Sequence, residues 1–273
     1  MRQIEFPDGA EVPVIGQGTW HMGESRSERK REVAALREGV ALGLRLIDTA
    51  EMYAEGGAEE VVGEAIAGVR DDVFLVSKVY PWNASRKGIP LACERSLKRL
   101  GTDRLDLYLL HWRGEHPLDE TVEAFERLRE QGKIARWGVS NLDLDDLLEL
   151  PSGCAANQVL YNPAARGIEF DLLPWQRRRG MPLMAYCPVG RGGKLLDNGA
   201  LRQVAERHAA TSAQVALAWA LRQENVLVIP KAVDPLHLKQ NAEAHRIALT
   251  AEDLALIDRH FPPPARERPL EMI

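Results

Sequence analysis

Residues 44–53, LRLIDTAEMY, carry a short apolar run that stops at Asp48, with a tyrosine, Tyr53, five positions later. A few branched apolar residues after Gly43 form the pattern of a strand buried on both faces. Asp48, Thr49 and Glu51 mark its end, so the strand delivers two ionisable groups to one mouth of the fold. The pattern recurs along the chain: FLVSK ends at Lys78, LYLLH at His111, RWGVSN at Ser140 and Asn141, ANQV carries Gln158, PLMAY ends at Tyr186 and LVIPK at Lys231. If these are successive parallel strands, their terminal residues gather on one face, and in a parallel barrel that carboxyl-end face is where active sites are built.

Helical patterns separate the runs. Ser27 is placed to cap a helix over 28–42, whose apolar positions Val33, Leu36, Val40 and Leu44 keep helical spacing and which Gly43 closes. Strands are expected at 14–20, 45–48, 73–78, 105–110, 134–139, 155–159, 182–186 and 226–229. Helical segments follow each, the last two strands being followed by two apiece. Eight β/α units with no linker between them predict an α/β protein built as a (β/α)8 TIM barrel, a single domain over residues 1–273. Ahead of it, Asp8-Gly9 between short alternating runs is a two-residue hairpin signal, and the hairpin is expected to close the bottom of the barrel. A doubly wound open sheet is the runner-up, weakened because no strand-to-helix turn carries G-x-G-x-x-G. The PPPARERP segment at 262–269 is an irregular tail that either folds over the mouth or stays mobile.

The 273 residues, 45% of them hydrophobic, suffice for a large core. A net charge of -5 with both signs interleaved argues against nucleic acid or a membrane surface as the partner. Cys93, Cys154 and Cys187 are odd in number and lack C-x-x-C spacing, so a reducing cytoplasm is expected. The N-terminus shows no signal pattern and no apolar run approaches a membrane span. No metal is expected, since the histidines never fall into H-x-H or H-E-x-x-H.

The strand-end groups suggest a chemistry. A tyrosine hydroxyl is a poor acid at neutral pH, but a nearby ammonium favours its ionised form and improves it as a proton donor. Lys78 can supply that ammonium, Asp48 can keep it charged, and His111 can donate a hydrogen bond to the reacting oxygen. Together the four would protonate an oxygen as electrons arrive at the attached carbon, as carbonyl reduction requires. Singly, each has a plainer explanation: a helix cap for Asp48, packing for Tyr53, a solvated charge for Lys78, a satisfied barrel-mouth histidine for His111. Only their joint placement favours catalysis.

The motifs GTW, LIDTAEMY, VSKVYPWN, DLYLLHW, GVSN, NQVLY, AYCP and IPKA-(x7)-QN, in this order, resemble the aldo-keto reductase family across essentially the whole chain, most of all its compact bacterial members of the methylglyoxal reductase and 2,5-diketo-gluconate reductase type. The resemblance implies a nicotinamide dinucleotide held without a Rossmann fold and a catalytic tetrad of Asp48, Tyr53, Lys78 and His111, with Tyr53 as general acid for reduction. It assigns Ser140, Asn141 and Gln158 to the nicotinamide carboxamide and Tyr186 to stacking on the ring. It also places Gly18, Thr19, Trp20, Asp48, Pro188 and Val189 along the dinucleotide, with the loop at 187–199 beside the pyrophosphate and Arg191 or Lys194 adding charge there.

At the adenosine end the resemblance matches Lys231 to a lysine on the 2′-phosphate, and Gln240 and Asn241 to positions near the adenine. Ala232 stands where a phosphate-binding Ser is common and His237 where an Arg often forks onto the phosphate. NADP(H) is therefore expected to be preferred by a reduced margin, with NAD(H) possible. Trp20, Trp82 and Trp112, each just past a strand end, are expected to wall the substrate pocket beside His111. The loop at 113–117 and the tail are short, which favours a small carbonyl such as methylglyoxal, turned over by a monomer. The alternative from another class is a non-catalytic, nicotinamide-nucleotide-sensing protein on the same barrel.

Overall fold

The structure, a computed structural model, describes residues 1–191 and 193–273. The chain opens with two antiparallel strands, β1 (Gln3–Glu5) and β2 (Glu11–Pro13). Eight strands follow: β3 (Gln17–Gly18), β4 (Leu46–Asp48), β5 (Phe74–Val79), β6 (Leu107–Leu110), β7 (Trp137–Ser140), β8 (Asn157–Leu160), β9 (Leu183–Tyr186) and β10 (Val226–Val228). All eight pair in parallel, each beside its neighbour in chain order. The two edges meet through an Ile15–Val228 bridge, in which Gly16 N donates to Val228 O (2.8 Å), Val228 N to Val14 O (2.9 Å) and Gly18 N to Pro230 O (3.1 Å). The sheet thus closes into the expected barrel.

Among the described residues ten α-helices surround it: α1 (Arg29–Ala41), α2 (Gly57–Ile66), α3 (Gly88–Leu100), α4 (Leu118–Glu130), α5 (Leu144–Glu149), α6 (Leu172–Arg178), α7 (Gly199–Arg207), α8 (Ser212–Ala220), α9 (Pro235–Glu243) and α10 (Ala251–His260). In α3, which packs against β5, the buried apolar stripe is Ile89, Ala92, Cys93, Leu97 and Leu100. Among the described residues no helix is long and apolar enough to cross a membrane.

The inner face is layered by the two-residue period of the strands. Leu46, Val76, Leu107, Leu109, Ala156, Met184 and Leu227 fill the interior, and Ile4, Phe6 and Val12 of the N-terminal hairpin plug it from below. Gly16 and Gly138 complete this layer because nothing larger fits: a Cβ would stand 2.9 Å from Leu46 O at Gly16 and 2.6 Å from Ala156 O at Gly138. One step further along the same strands the interior turns polar, with Asp48 two residues after Leu46, Lys78 after Val76, His111 after Leu109, Ser140 after Gly138, Gln158 after Ala156 and Tyr186 after Met184.

Two local readings are corrected. The hairpin loop has three residues, Pro7, Asp8 and Gly9: Phe6 N donates to Ala10 O and Gly9 N to Phe6 O, and of the three only Gly9 has positive φ (+86°). A two-residue turn on Asp8-Gly9 needs positive φ at both, whereas Pro7 starts an ordinary turn whose last residue alone is left-handed. Ser27 does not cap α1. Its hydroxyl bonds Ser25 Oγ (2.7 Å), the N-cap is Glu28, and no side chain caps the helix. Gly43 ends α1 with φ +90°, as expected.

Candidate active site

Lys78 lies at the bottom of the mouth with its ammonium fully buried, and all three of its hydrogens find oxygen: Asp48 Oδ2 at 2.7 Å, Thr49 O at 2.9 Å and Tyr53 Oη at 3.1 Å. Asp48 Oδ1 accepts from Gln158 Nε2 at 2.8 Å, so both carboxylate oxygens are engaged. Burial works to lower the Lys78 pKa, but the charge of Asp48 and its hydrogen bond, helped by Tyr53, outweigh it and hold the ammonium above its ordinary value. A buried ion pair of this kind persists because every donor and acceptor is satisfied.

Tyr53 hangs over this pair, its ring centroid 4.7 Å from Lys78 Nζ and edge-on to His111 at 5.8 Å. The backbone leaves it in an uncommon path. Ala54 (φ +49°) and Glu55 (φ +53°) are both left-handed without being glycine, and Gly56 (φ +94°) completes the turn into α2. Such strain costs about 1–3 kcal/mol per residue and collects at functional sites. Its effect here is to bring the Tyr53 hydroxyl back over the strand end that the chain has just left.

Burial pushes the Tyr53 phenol above its ordinary value; Lys78 pulls it down and Asp48 adds to the rise. The net direction is opposite to the one the sequence predicts, because desolvation outweighs the ammonium. Burial, joined by the Lys78 charge, pushes His111 well below the ordinary imidazole value, so the ring is neutral at pH 7. Its Nδ1 is buried without a hydrogen-bond partner among the described residues.

The groups expected around the nicotinamide lie beside the four. Asn141, left-handed at φ +56°, donates Nδ2 to His111 O (3.1 Å) and Ser140 Oγ (3.2 Å), while its Oδ1 accepts from the Tyr186 hydroxyl at 2.8 Å. Burial raises Tyr186, with Cys187 and Tyr53 adding and the nearby Ile273 backbone working against the rise. Leu270 N donates to Asp143 Oδ2 at 3.2 Å, so the tail folds back onto the N-terminus of α5, two residues after Asn141. Thr19 is fully buried, and its hydroxyl donates to Asp48 O at 2.9 Å, bracing the backbone behind the tetrad.

The tryptophans divide. Trp82 and Trp112 meet at 5.6 Å, and Trp112 lies 4.9 Å from the His111 ring. Trp20 stacks instead on His21 at 4.3 Å, with the Arg191 guanidinium 5.7 Å from its ring, which ties the loop after β3 to the loop after β9. In that second loop Pro188 is buried and Val189 half-buried, and Gly192 lies outside the described residues. On the side of α9, Lys231 and His237 are exposed while Ala232 and Asn241 are buried and Gln240 is half-buried. Asp234 caps α9, accepting from Leu236 N (2.8 Å) and His237 N (3.3 Å). Sequence reasoning missed Tyr80, which stacks on Trp82 at 4.5 Å, and Glu51, whose carboxylate accepts the Tyr80 N–H at 2.8 Å. Both residues stood inside recognised motifs, and only the fold shows them facing each other.

Residues 14–261 match the aldo/keto reductase family. The chain is 53% identical to the methylglyoxal reductase YeaE of Escherichia coli (strain K12), over 100% of this chain and 99% of that one. It is 36% identical to a glyoxal reductase of Bacillus subtilis (strain 168), over 93% of this chain and 91% of the relative. A crystal structure of an aldo/keto reductase from Klebsiella pneumoniae in complex with NADP and acetate superposes with a TM-score of 0.96 at 54% identity, covering 99% of each chain. This chain belongs to the aldo/keto reductase family.

Proposed function

We propose that this oxidoreductase reduces small aldehydes and ketones, methylglyoxal-like dicarbonyls among them, to alcohols, taking electrons from NADPH in preference to NADH. The observation that carries the reading is the fully bonded Lys78 ammonium, which joins Asp48 to the Tyr53 hydroxyl at 3.1 Å inside a buried mouth. The names of the Escherichia coli and Bacillus subtilis relatives and the NADP of the Klebsiella pneumoniae structure support the same reading. We take the chain to act as a single-domain monomer in the cytoplasm.

The donor set at the mouth fits a nicotinamide. Gln158 spends Nε2 on Asp48 and has no partner for Oε1 among the described residues, while Ser140 Oγ accepts from Asn141 and keeps its own O–H to give. One free acceptor beside one free donor is the complement of a primary carboxamide. Asn141 spends its amide within the protein and so orients the Tyr186 ring, a planar face of the kind that stacks on a heteroaromatic ring. Lys231 offers an exposed ammonium to a phosphate, without the bidentate fork an Arg at His237 would add.

When bound, the nicotinamide supplies the hydride for the carbonyl carbon. The protein supplies the proton and the electrostatics. Because Tyr53 is held above its ordinary value it is protonated at neutral pH, the form a general acid needs. The Lys78 ammonium, kept charged by Asp48, lowers the cost of the phenolate left behind when that proton moves to the carbonyl oxygen. Neutral His111 orients the same oxygen through a ring nitrogen. In the oxidative direction the Tyr53 phenolate is the base.

The test is NADPH oxidation followed with methylglyoxal, glyoxal, simple ketones and a steroid ketone, repeated with NADH. The reading expects turnover of the small carbonyls at a lower KM for NADPH than for NADH. Selective turnover of the steroid overturns the substrate class, and equal or better use of NADH overturns the preference. NADPH that binds and is oxidised by no carbonyl points to the nucleotide-sensing role.

A further inference from the structure

Glu51 is buried, only 7% exposed, three residues beyond Asp48 and two before Tyr53. It is not part of the tetrad, and its side chain turns away to the loop that follows β5. Its Oε1 accepts the Tyr80 backbone N–H at 2.8 Å and Asn83 Nδ2 at 2.9 Å, and its own N–H donates to Lys78 O at 3.3 Å. Among the described residues its Oε2 meets Arg95 alone, 3.4 Å away and half-exposed. The loop it grips carries one side of the substrate wall: Tyr80 stacks on Trp82, which meets Trp112, which lies against His111. Trp82 is 64% exposed, so packing from behind does little to hold it.

We infer that Glu51 is a positioning residue that sets substrate selection, fixing the aromatic wall of Tyr80 and Trp82 relative to the Tyr53 hydroxyl by tying the loop after β5 to the loop after β4. The inference rests on the reductase reading above. Both bonds by which Glu51 grips the wall end on the same oxygen, Oε1, whereas the charge partner Arg95 meets the other. A role in charge balance would run through Oε2 and the Arg95 pair, and would be lost in Glu51→Gln. Positioning runs through Oε1, an acceptor that the glutamine amide keeps. A ligand large enough to rest on the indole feels the wall move, while a three-carbon dicarbonyl held mainly at the tetrad feels it less.

The experiment uses the full chain with NADPH and compares benzaldehyde with methylglyoxal in Glu51→Ala, Glu51→Gln and Arg95→Ala. Amide hydrogen exchange at Tyr80 is read alongside. Loss of two hydrogen bonds from a buried acceptor predicts, for Glu51→Ala, a KM for benzaldehyde raised about 10-fold, kcat within about 2-fold and a smaller KM change for methylglyoxal. The Tyr80 amide loses its protection in Glu51→Ala and keeps it in Glu51→Gln, and Glu51→Gln and Arg95→Ala both keep wild-type kinetics. The inference is overturned if Tyr80 stays protected in Glu51→Ala, if kcat falls equally for both aldehydes with KM unmoved, or if Glu51→Gln behaves as Glu51→Ala. Wild-type protein that reduces neither aldehyde refutes the reductase reading instead, a result separable from the exchange at Tyr80, which depends on the tie alone.

Discussion

The floor and the mouth of this barrel lie two residues apart on the same strands, and they are opposite in chemistry. At the floor Leu46, Val76, Leu109, Ala156 and Met184 pack with Phe6 of the hairpin into an apolar plug. At the mouth Asp48, Lys78, His111, Gln158 and Tyr186 occupy the next inward positions. The floor is held by area removed from water, which tolerates exchange of one apolar shape for another. The mouth is held by a closed set of hydrogen bonds around Lys78, in which each member is needed to satisfy the next. Substitutions in the first layer should therefore move stability with little effect on turnover, and substitutions in the second should move both.

The largest effect is expected of Lys78→Met. On the mechanism proposed above it removes the group that stabilises the Tyr53 phenolate, and kcat/KM should fall about 10²- to 10⁴-fold. It also leaves Asp48 buried with only Gln158 as donor, a loss of about 3–5 kcal/mol in urea denaturation. A variant with normal turnover would erase the distinction between the layers. Phe6→Ala is the matching change at the floor. Phe6 is 1% exposed and stacks on Phe74 at 5.2 Å, so its removal should cost about 3–5 kcal/mol of stability. Its kcat/KM at 25 °C should stay within about 2-fold of wild type, since the cavity opens away from the tetrad. A proportionate loss of turnover would show that the layers are coupled.

The smallest effect is one of pH. His111 has its pKa lowered well below 6.5 by burial and by Lys78, so the folded state resists a proton that the unfolded chain accepts. Its contribution to stability is complete above pH 6.5 and is lost as the pH falls from there toward the folded value, with a slope of at most about 1.4 kcal/mol per pH unit. The difference in urea midpoint between wild type and His111→Gln should narrow as the pH drops from 7 to 5. A constant difference would contradict the neutral ring.

The mouth was legible because Asp48, Lys78, His111 and Tyr186 each end an apolar run, whereas Gln158 stands inside β8 with Val159 and Leu160 after it and is placed by the family resemblance. What stayed hidden depends on backbone atoms or on solvent. Thr49 serves the site through its carbonyl and Glu51 by accepting a backbone N–H, roles that no side-chain type signals. Thr19 turns its hydroxyl to Asp48 O, a backbone partner that its residue type does not signal. The direction of the Tyr53 shift required knowing how deeply the ring is buried, which neighbours in sequence do not reveal. Pro7 draws the hairpin turn back by one residue from Asp8-Gly9, and α1 lacks the cap that Ser27 offers because that hydroxyl bonds Ser25 and not the helix amides.

The most direct measurement is Tyr53→Phe, assayed with methylglyoxal and NADPH beside a fluorescence titration of NADPH binding. Removing the one hydroxyl that Lys78 holds at 3.1 Å should lower kcat/KM by about 10²-fold or more with NADPH affinity within about 3-fold of wild type. A variant that binds NADPH and keeps more than about a tenth of wild-type turnover would show that the proton comes from elsewhere, and the catalytic account built on Lys78 and Tyr53 would fail.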